Sequence, residues 1–95
     1  MNETFLTERG SEAIISSPVD IEVDAAGLDC PMPLLKARQG LNKLQSGQTL
    51  RLLATDAGSV RDVKSFAQLS HNQMLSFAEV QKEGAALYVY ILQKA

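Results

Sequence analysis

The chain has 95 residues and a mass of 10.3 kDa, with 45% hydrophobic residues, 21% charged residues, a net charge of −2 and one cysteine. That length suits one domain with a modest core, and the ordinary balance of residue types argues against disorder of the whole chain. The single cysteine excludes an internal disulfide framework, a CxxC redox pair and a multi-cysteine zinc site, while the lack of basic excess and of Trp argues against direct nucleic-acid binding.

Residues 1–18 mix Asn, Glu, Thr, Ser and Gly with two small apolar clusters, Phe5-Leu6 and Ala13-Ile14-Ile15, and show no sustained period. They read as a flexible N-terminal tail preceding a domain over residues 19–95, with a short added strand around Ile14 as the alternative. MNETFLTERG carries acidic residues where a secretory signal needs a basic region and an apolar stretch. No apolar run approaches the roughly 20 residues of a bilayer span. A soluble cytoplasmic protein without a membrane partner is expected.

Val19, Ile21 and Val23 alternate with Asp20, Glu22 and Asp24, the period of a half-buried strand with one acidic face. Solvation is the expected role of those carboxylates, since a calcium site ordinarily gathers more oxygen ligands from a loop. The segment from Ala25 to Asp29 turns the chain, and Gly27 permits a conformation that other residues resist. Pro31 and Pro33 then suit the first turn of a helix, where a missing N–H costs nothing. Leu34, Ala37, Leu41 and Leu44 form its apolar stripe, and Gly47 is placed to stop it. Lys36, Arg38 and Lys43 are on its polar sides; a solvated face is the ordinary role for such charges, a basic docking patch the sharper one.

Thr49 to Thr55 reads as a second strand, followed by an Asp56-Ala57-Gly58 turn. Ser59 and Asp62 resemble a capping box, and Val60, Val63, Phe66 and Ala67 mark a second helix. Met74 to Gln81 and Leu87 to Leu92 alternate as a closing hairpin around Lys82-Glu83-Gly84. His71 reads as a loop histidine. The order βαβαββ, with single apolar stripes on two helices, points to a two-layer α/β sandwich: a four-stranded mixed sheet with both helices on one face.

The chemistry centres on Gly27-Leu28-Asp29-Cys30-Pro31-Met32-Pro33. Taken alone, Cys30 is either a buried small hydrophobe or a working thiol. Its place at the start of a helix, where backbone N–H groups and the helix dipole favour an anion, points to a thiol of lowered pKa. Asp29 beside it pulls the other way.

The stretch DAAGLDCPMPLLKAR, with the following strand, Asp56, Arg61-Asp62, Phe66 and His71, resembles the TusA/SirA family of sulfur carriers from about Val19 to Lys94. The resemblance implies that Cys30 takes sulfane sulfur as a persulfide from a cysteine desulfurase or rhodanese-like donor. It then passes that sulfur to an acceptor protein, as in tRNA thiolation or molybdenum-cofactor maturation. Such a chain is a sulfurtransferase-like carrier with a persulfide intermediate, and no cofactor or metal is expected. Gly27, Pro31 and Pro33 match the motif that supports the thiol. Arg38, Asp56, Arg61 and Asp62 fall on positions that are commonly polar in the family, for structure or partner docking. The chain departs from many relatives in having Ala67 rather than cysteine after Phe66, and Ser70 rather than glycine before His71. Two other classes of function stay open: a non-catalytic regulatory or interaction module, and a single-thiol redox sensor.

Overall fold

In the computed structural model, which describes residues 14–95 (at Lys82 the backbone only), the elements run β1 (Ile21–Ala25), α1 (Met32–Leu41), β2 (Thr49–Ala54), α2 (Gly58–Ser70), β3 (Gln73–Lys82) and β4 (Ala85–Gln93). The sheet order is β1-β2-β4-β3. β1 and β2 are parallel, joined by the α1 crossover, whereas β4 runs antiparallel to both β2 and β3. The mixed βαβαββ sheet expected from the periodicity is therefore present. Glu83 and Gly84, both with positive φ, make a two-residue hairpin turn between paired Lys82 and Ala85.

Alternation along the strands decides which side chains meet the helices. Leu50, Leu52 and Ala54 of β2 and Tyr90 and Leu92 of β4 pack with Ala37 and Leu41 of α1 and Val63 of α2 in one buried cluster. α1 sits close because Gly40 has no side chain: a Cβ there would lie 2.6 Å from Leu50 Cδ1 and 3.1 Å from both Ile21 Cδ1 and Val23 Cγ2. The buried face of α1 is accordingly Pro33, Ala37, Gly40 and Leu41, with Leu34 only half-buried.

Two local expectations are corrected. α1 ends at Leu41, well before Gly47, because the Lys43 and Leu44 N–H groups bond back only three residues, to the Gly40 and Leu41 carbonyls, and tighten the exit. Gly47 instead takes φ +90° in the following turn, where its N–H donates to the Lys94 carbonyl. Nor do Ser59 and Asp62 form a capping box. Ser59 lies inside α2, fully buried, and shares a 2.6 Å hydrogen bond with the Tyr90 hydroxyl, while Asp62 is engaged elsewhere. Asp56 takes over the start of α2, its Oδ2 accepting the Gly58 N–H at 3.1 Å.

The second face of the sheet is apolar at its centre. Leu53, Ala78, Val80, Leu87, Val89 and Ile91 gather there around Ile14, which is buried on a helical turn at residues 14–16. Arg51 anchors this segment: its Nη1 donates to the carbonyls of Ile14 (3.1 Å) and Ser17 (2.6 Å), and its Nε pairs with Glu22 Oε1 at 2.8 Å. The stretch around Ile14, read as tail or strand, thus contains a helical turn against the sheet, held by carbonyl bonds to Arg51 that sequence spacing does not reveal. Residues 1–13 of the expected tail lie outside the described residues. The acidic residues in and just before β1 are separately employed: Glu22 on Arg51, Asp20 Oδ2 on the Thr49 N–H at 2.7 Å, and Asp24 Oδ1 on the Ala26 N–H at 3.0 Å.

The Ser59–Tyr90 pair carries a stability prediction. Burial pushes the Tyr90 pKa up to about 12, against the opposing pull of the Ser59 hydrogen bond. A raised folded-state pKa means that the neutral phenol's contribution is complete below about pH 10. It is lost as pH rises toward 12, by about 1.4 kcal/mol per unit. Tyr90→Phe removes this part of the alkaline loss. At neutral pH it leaves the buried Ser59 hydroxyl without its partner, costing about 1–3 kcal/mol. Urea denaturation of both proteins at neutral and alkaline pH measures the two effects.

Candidate functional site

Cys30 sits at the tip of the β1–α1 connection, exposed. The chain reaches it through a turn in which Gly27 has φ +84°, with its N–H donating to Thr55 Oγ1 at 2.8 Å and the Leu28 N–H donating to the Ala25 carbonyl at 3.2 Å. No atom stands within 4 Å of where a Gly27 Cβ would lie, so the glycine answers the backbone angle rather than crowding. Beyond the thiol, the Cys30–Pro31 peptide bond is cis, Pro31 is the N-cap of α1, and Pro33 is buried in its first turn. The Met32 N–H donates to the Asp29 carbonyl at 2.8 Å. Cys30 therefore precedes the N-cap by one residue, close to where the proline pattern places it.

The β2–α2 connection supplies the other half of the site. Asp56 Oδ2 accepts the Cys30 N–H at 3.2 Å as well as the Gly58 N–H, so one carboxylate ties the cysteine loop to the start of α2. Asp62, one turn into α2, brings Oδ2 to 2.6 Å from Cys30 Sγ as acceptor of the thiol S–H. Gly58 makes room between them. A Cβ there would stand 2.9 Å from Asp56 Oδ2, 3.3 Å from Cys30 Cβ and 3.5 Å from Sγ. Gly58 escaped the sequence reading because nothing in the local pattern separates a turn glycine from one that clears a distant thiol.

The electrostatics reverse one expectation. The pKa of Cys30 is raised, first by the hydrogen bond to Asp62, then by partial burial of the sulfur and by the charges of Asp62 and Asp56, with Arg61 pulling it down. The helix-start argument considered only α1, whereas the groups that control the proton arrive from α2 and the loop before it. These carboxylates favour the thiol over the thiolate.

The remaining site candidates are dispersed. Arg61 is exposed beside Asp62. Arg38 lies outside the thiol's bonded set, with its guanidinium 6.0 Å from the centre of the Phe66 ring. His71 is exposed at the C-cap of α2 in a left-handed conformation, which suits the loop role expected of it. Among the described residues no group of three or more His, Cys, Asp or Glu side chains is arranged to hold a metal, and no helix is long and apolar enough to cross a membrane.

The sequence and the fold both have known counterparts. The family model described as Sulfurtransferase TusA matches residues 21–94. The chain is 43% identical over 72 residues to the sulfur carrier protein TusA of Allochromatium vinosum, a match covering 76% of this chain and 91% of that protein. It is 37% identical over 78 residues to the sulfur carrier protein TusA of Pseudomonas syringae pv. syringae, covering 82% of this chain and 90% of the relative. Among solved structures, a SirA-like protein from Desulfitobacterium hafniense shares the fold with a TM-score of 0.61 at 24% identity, covering 79% of this chain and 99% of that one. The chain belongs to the TusA family.

Proposed function

We propose that the chain is a sulfur carrier that takes up sulfane sulfur on Cys30 as a persulfide and hands it to a downstream protein. The carrying observation is the placement of its one cysteine: exposed, on the Cys-Pro-Met-Pro mount, in a chain of the TusA family. In the relay, Sγ attacks the outer sulfur of a donor persulfide, the donor's S–S bond breaks, and the donor leaves as a thiol. An acceptor thiol then attacks the outer sulfur held on Cys30 and regenerates the Cys30 thiol. Donor and acceptor each bring their own cysteine, so a single thiol in this chain suffices. A cysteine desulfurase or rhodanese-like protein fits as donor, and an acceptor in tRNA thiolation, molybdenum-cofactor maturation or another sulfur branch fits downstream. Met32 and Leu35 leave apolar surface exposed on the first turn of α1, beside Arg38 and near Cys30, a mixture suited to protein docking.

A redox sensor is the weaker reading, because sensor cysteines are ordinarily low-pKa thiolates, whereas the Asp62 carboxylate on this sulfur pushes its pKa up. The test is intact mass after incubation with a cysteine desulfurase and cysteine. Wild type is expected to gain sulfur that a thiol reductant removes, and Cys30→Ser to gain none. Equal gain by both proteins, or none by wild type with either class of donor, rules the reading out.

The packing at Gly58 gives a second expectation. Gly58→Ala puts a methyl group 2.9 Å from Asp56 Oδ2 and 3.3 Å from Cys30 Cβ, so the carboxylate that holds the Cys30 N–H has to shift, and the mount of the thiol with it. Displacing a reacting atom by a fraction of an ångström to an ångström is expected to slow loading by on the order of 10- to 100-fold with little change in thermal stability. Single-turnover loading followed by mass, beside a melting curve, measures both.

A further inference from the structure

We propose that Asp62 is the proton acceptor of the relay: its carboxylate holds the S–H of unloaded Cys30 and takes that proton as Sγ attacks the donor's sulfane sulfur. The inference rests on the sulfur-carrier reading, and extends it to a residue whose resemblance-based role was only structure or docking.

The geometry is specific. Asp62 Oδ2 is 2.6 Å from Sγ, on the rigid first half of α2, with Val63 beside it fully buried in the core. Asp56 is also near, but its Oδ2 is already occupied by two backbone N–H groups, those of Cys30 and Gly58. The charged groups acting on the thiol are thus Asp62 and Arg61 from α2 and Asp56 from the β2–α2 loop, with Asp29 adjacent in the chain. Of these, Asp62 is the one bonded to the sulfur.

The atoms balance without an added oxidant or reductant. A bond forms between Sγ and the donor's outer sulfur. The donor's S–S bond breaks, and its electron pair departs with the donor's inner sulfur. The proton of Sγ passes to Asp62 and from there to the departing thiolate. Sulfane sulfur changes carrier and not oxidation state. Once loaded, Sγ carries a sulfur in place of its hydrogen, so the bond to Asp62 belongs to the empty carrier alone. Delivery runs the steps backwards: as the acceptor's sulfur attacks, its thiol proton passes to Asp62, which hands it to Sγ as Cys30 leaves the outer sulfur. A carboxylate is ordinarily a weaker base than a thiolate by about 4–5 pK units, so the proton stays on sulfur until an electrophilic sulfur arrives. The empty carrier is then slow towards stray alkylating agents and fast within the donor complex.

The test compares wild type with Asp62→Asn, nearly isosteric, and Asp62→Ala, both as full chains. Iodoacetamide alkylation followed against pH reports the thiol, and loading by a cysteine desulfurase with cysteine at neutral pH reports the transfer. Both variants are expected to alkylate faster, about tenfold for each unit by which the thiol midpoint falls, and yet to load at least about tenfold more slowly. A purely structural Asp62 does not move the two rates in opposite directions. An unchanged or raised alkylation midpoint, or loading at the wild-type rate or faster, overturns the proposal. No loading by wild type overturns the sulfur-carrier reading and the transfer step with it; a lowered midpoint in that case still identifies Asp62 as the holder of the thiol proton.

Discussion

Replacing Cys30 by Ser is expected to abolish sulfur uptake while leaving the fold intact. The side chain is exposed, and its hydrogen bond to Asp62 can be made equally by a hydroxyl, so the change touches no packed surface. Surface substitutions of this kind stay within about 0.5 kcal/mol. The loss of function is complete because an unactivated serine hydroxyl cannot replace a thiol in persulfide exchange. In cells that depend on the chain for sulfur transfer, the Cys30→Ser variant accumulates to the wild-type level but fails to restore the thiolated product. Restoration by Cys30→Ser would shift the protein to the interaction-module class.

Leu52→Ala is expected to have the largest effect on stability. Leu52 is fully buried in the middle of β2, paired with Val23 on one side and Tyr90 on the other, in the cluster that joins both helices to the sheet. Truncation removes buried methyl groups and leaves a cavity between strands that cannot close up, at a cost of about 2–5 kcal/mol. Single domains hold about 5–15 kcal/mol in all, so the variant is expected to melt far below wild type. The site should suffer with it, since β2 leads directly into the Asp56 loop that ties down the Cys30 backbone. Urea denaturation gives the loss of stability, and loading measured across a temperature series should fail at the lower melting point.

Much of the architecture was legible because its signals are local. Alternation along β1 and β4, Pro31 and Pro33 at the helix start, and Lys82-Glu83-Gly84 at the hairpin each place an element without reference to the rest of the chain. The thiol's mount was legible for the same reason. The misreadings arose where a distant partner outbid a local one. Ser59 and Asp62 have the spacing of a capping box, but Tyr90 lies 31 residues from Ser59 in sequence and Cys30 lies 32 from Asp62, and each claims its partner's oxygen. The sign of the Cys30 pKa shift was missed for the same kind of reason, since the start of α1 favours a thiolate while carboxylates brought from α2 and its loop favour the thiol. Ile14 escaped because its burial depends on Arg51 reaching across the second sheet face to the carbonyls of residues 14 and 17.

The relay itself is tested most directly by following one sulfur atom through the protein. The chain is loaded with labelled sulfur from a cysteine desulfurase and freed of donor. It is then mixed with a reduced rhodanese-like protein, whose empty thiol takes up sulfane sulfur in the reverse of donation and so serves as acceptor, and both proteins are weighed intact over time. Loss of the labelled sulfur from Cys30 matched by its appearance on the acceptor's cysteine is the expected result. Sulfur that never loads, or that leaves Cys30 only as free sulfide while the acceptor gains nothing, contradicts a carrier role.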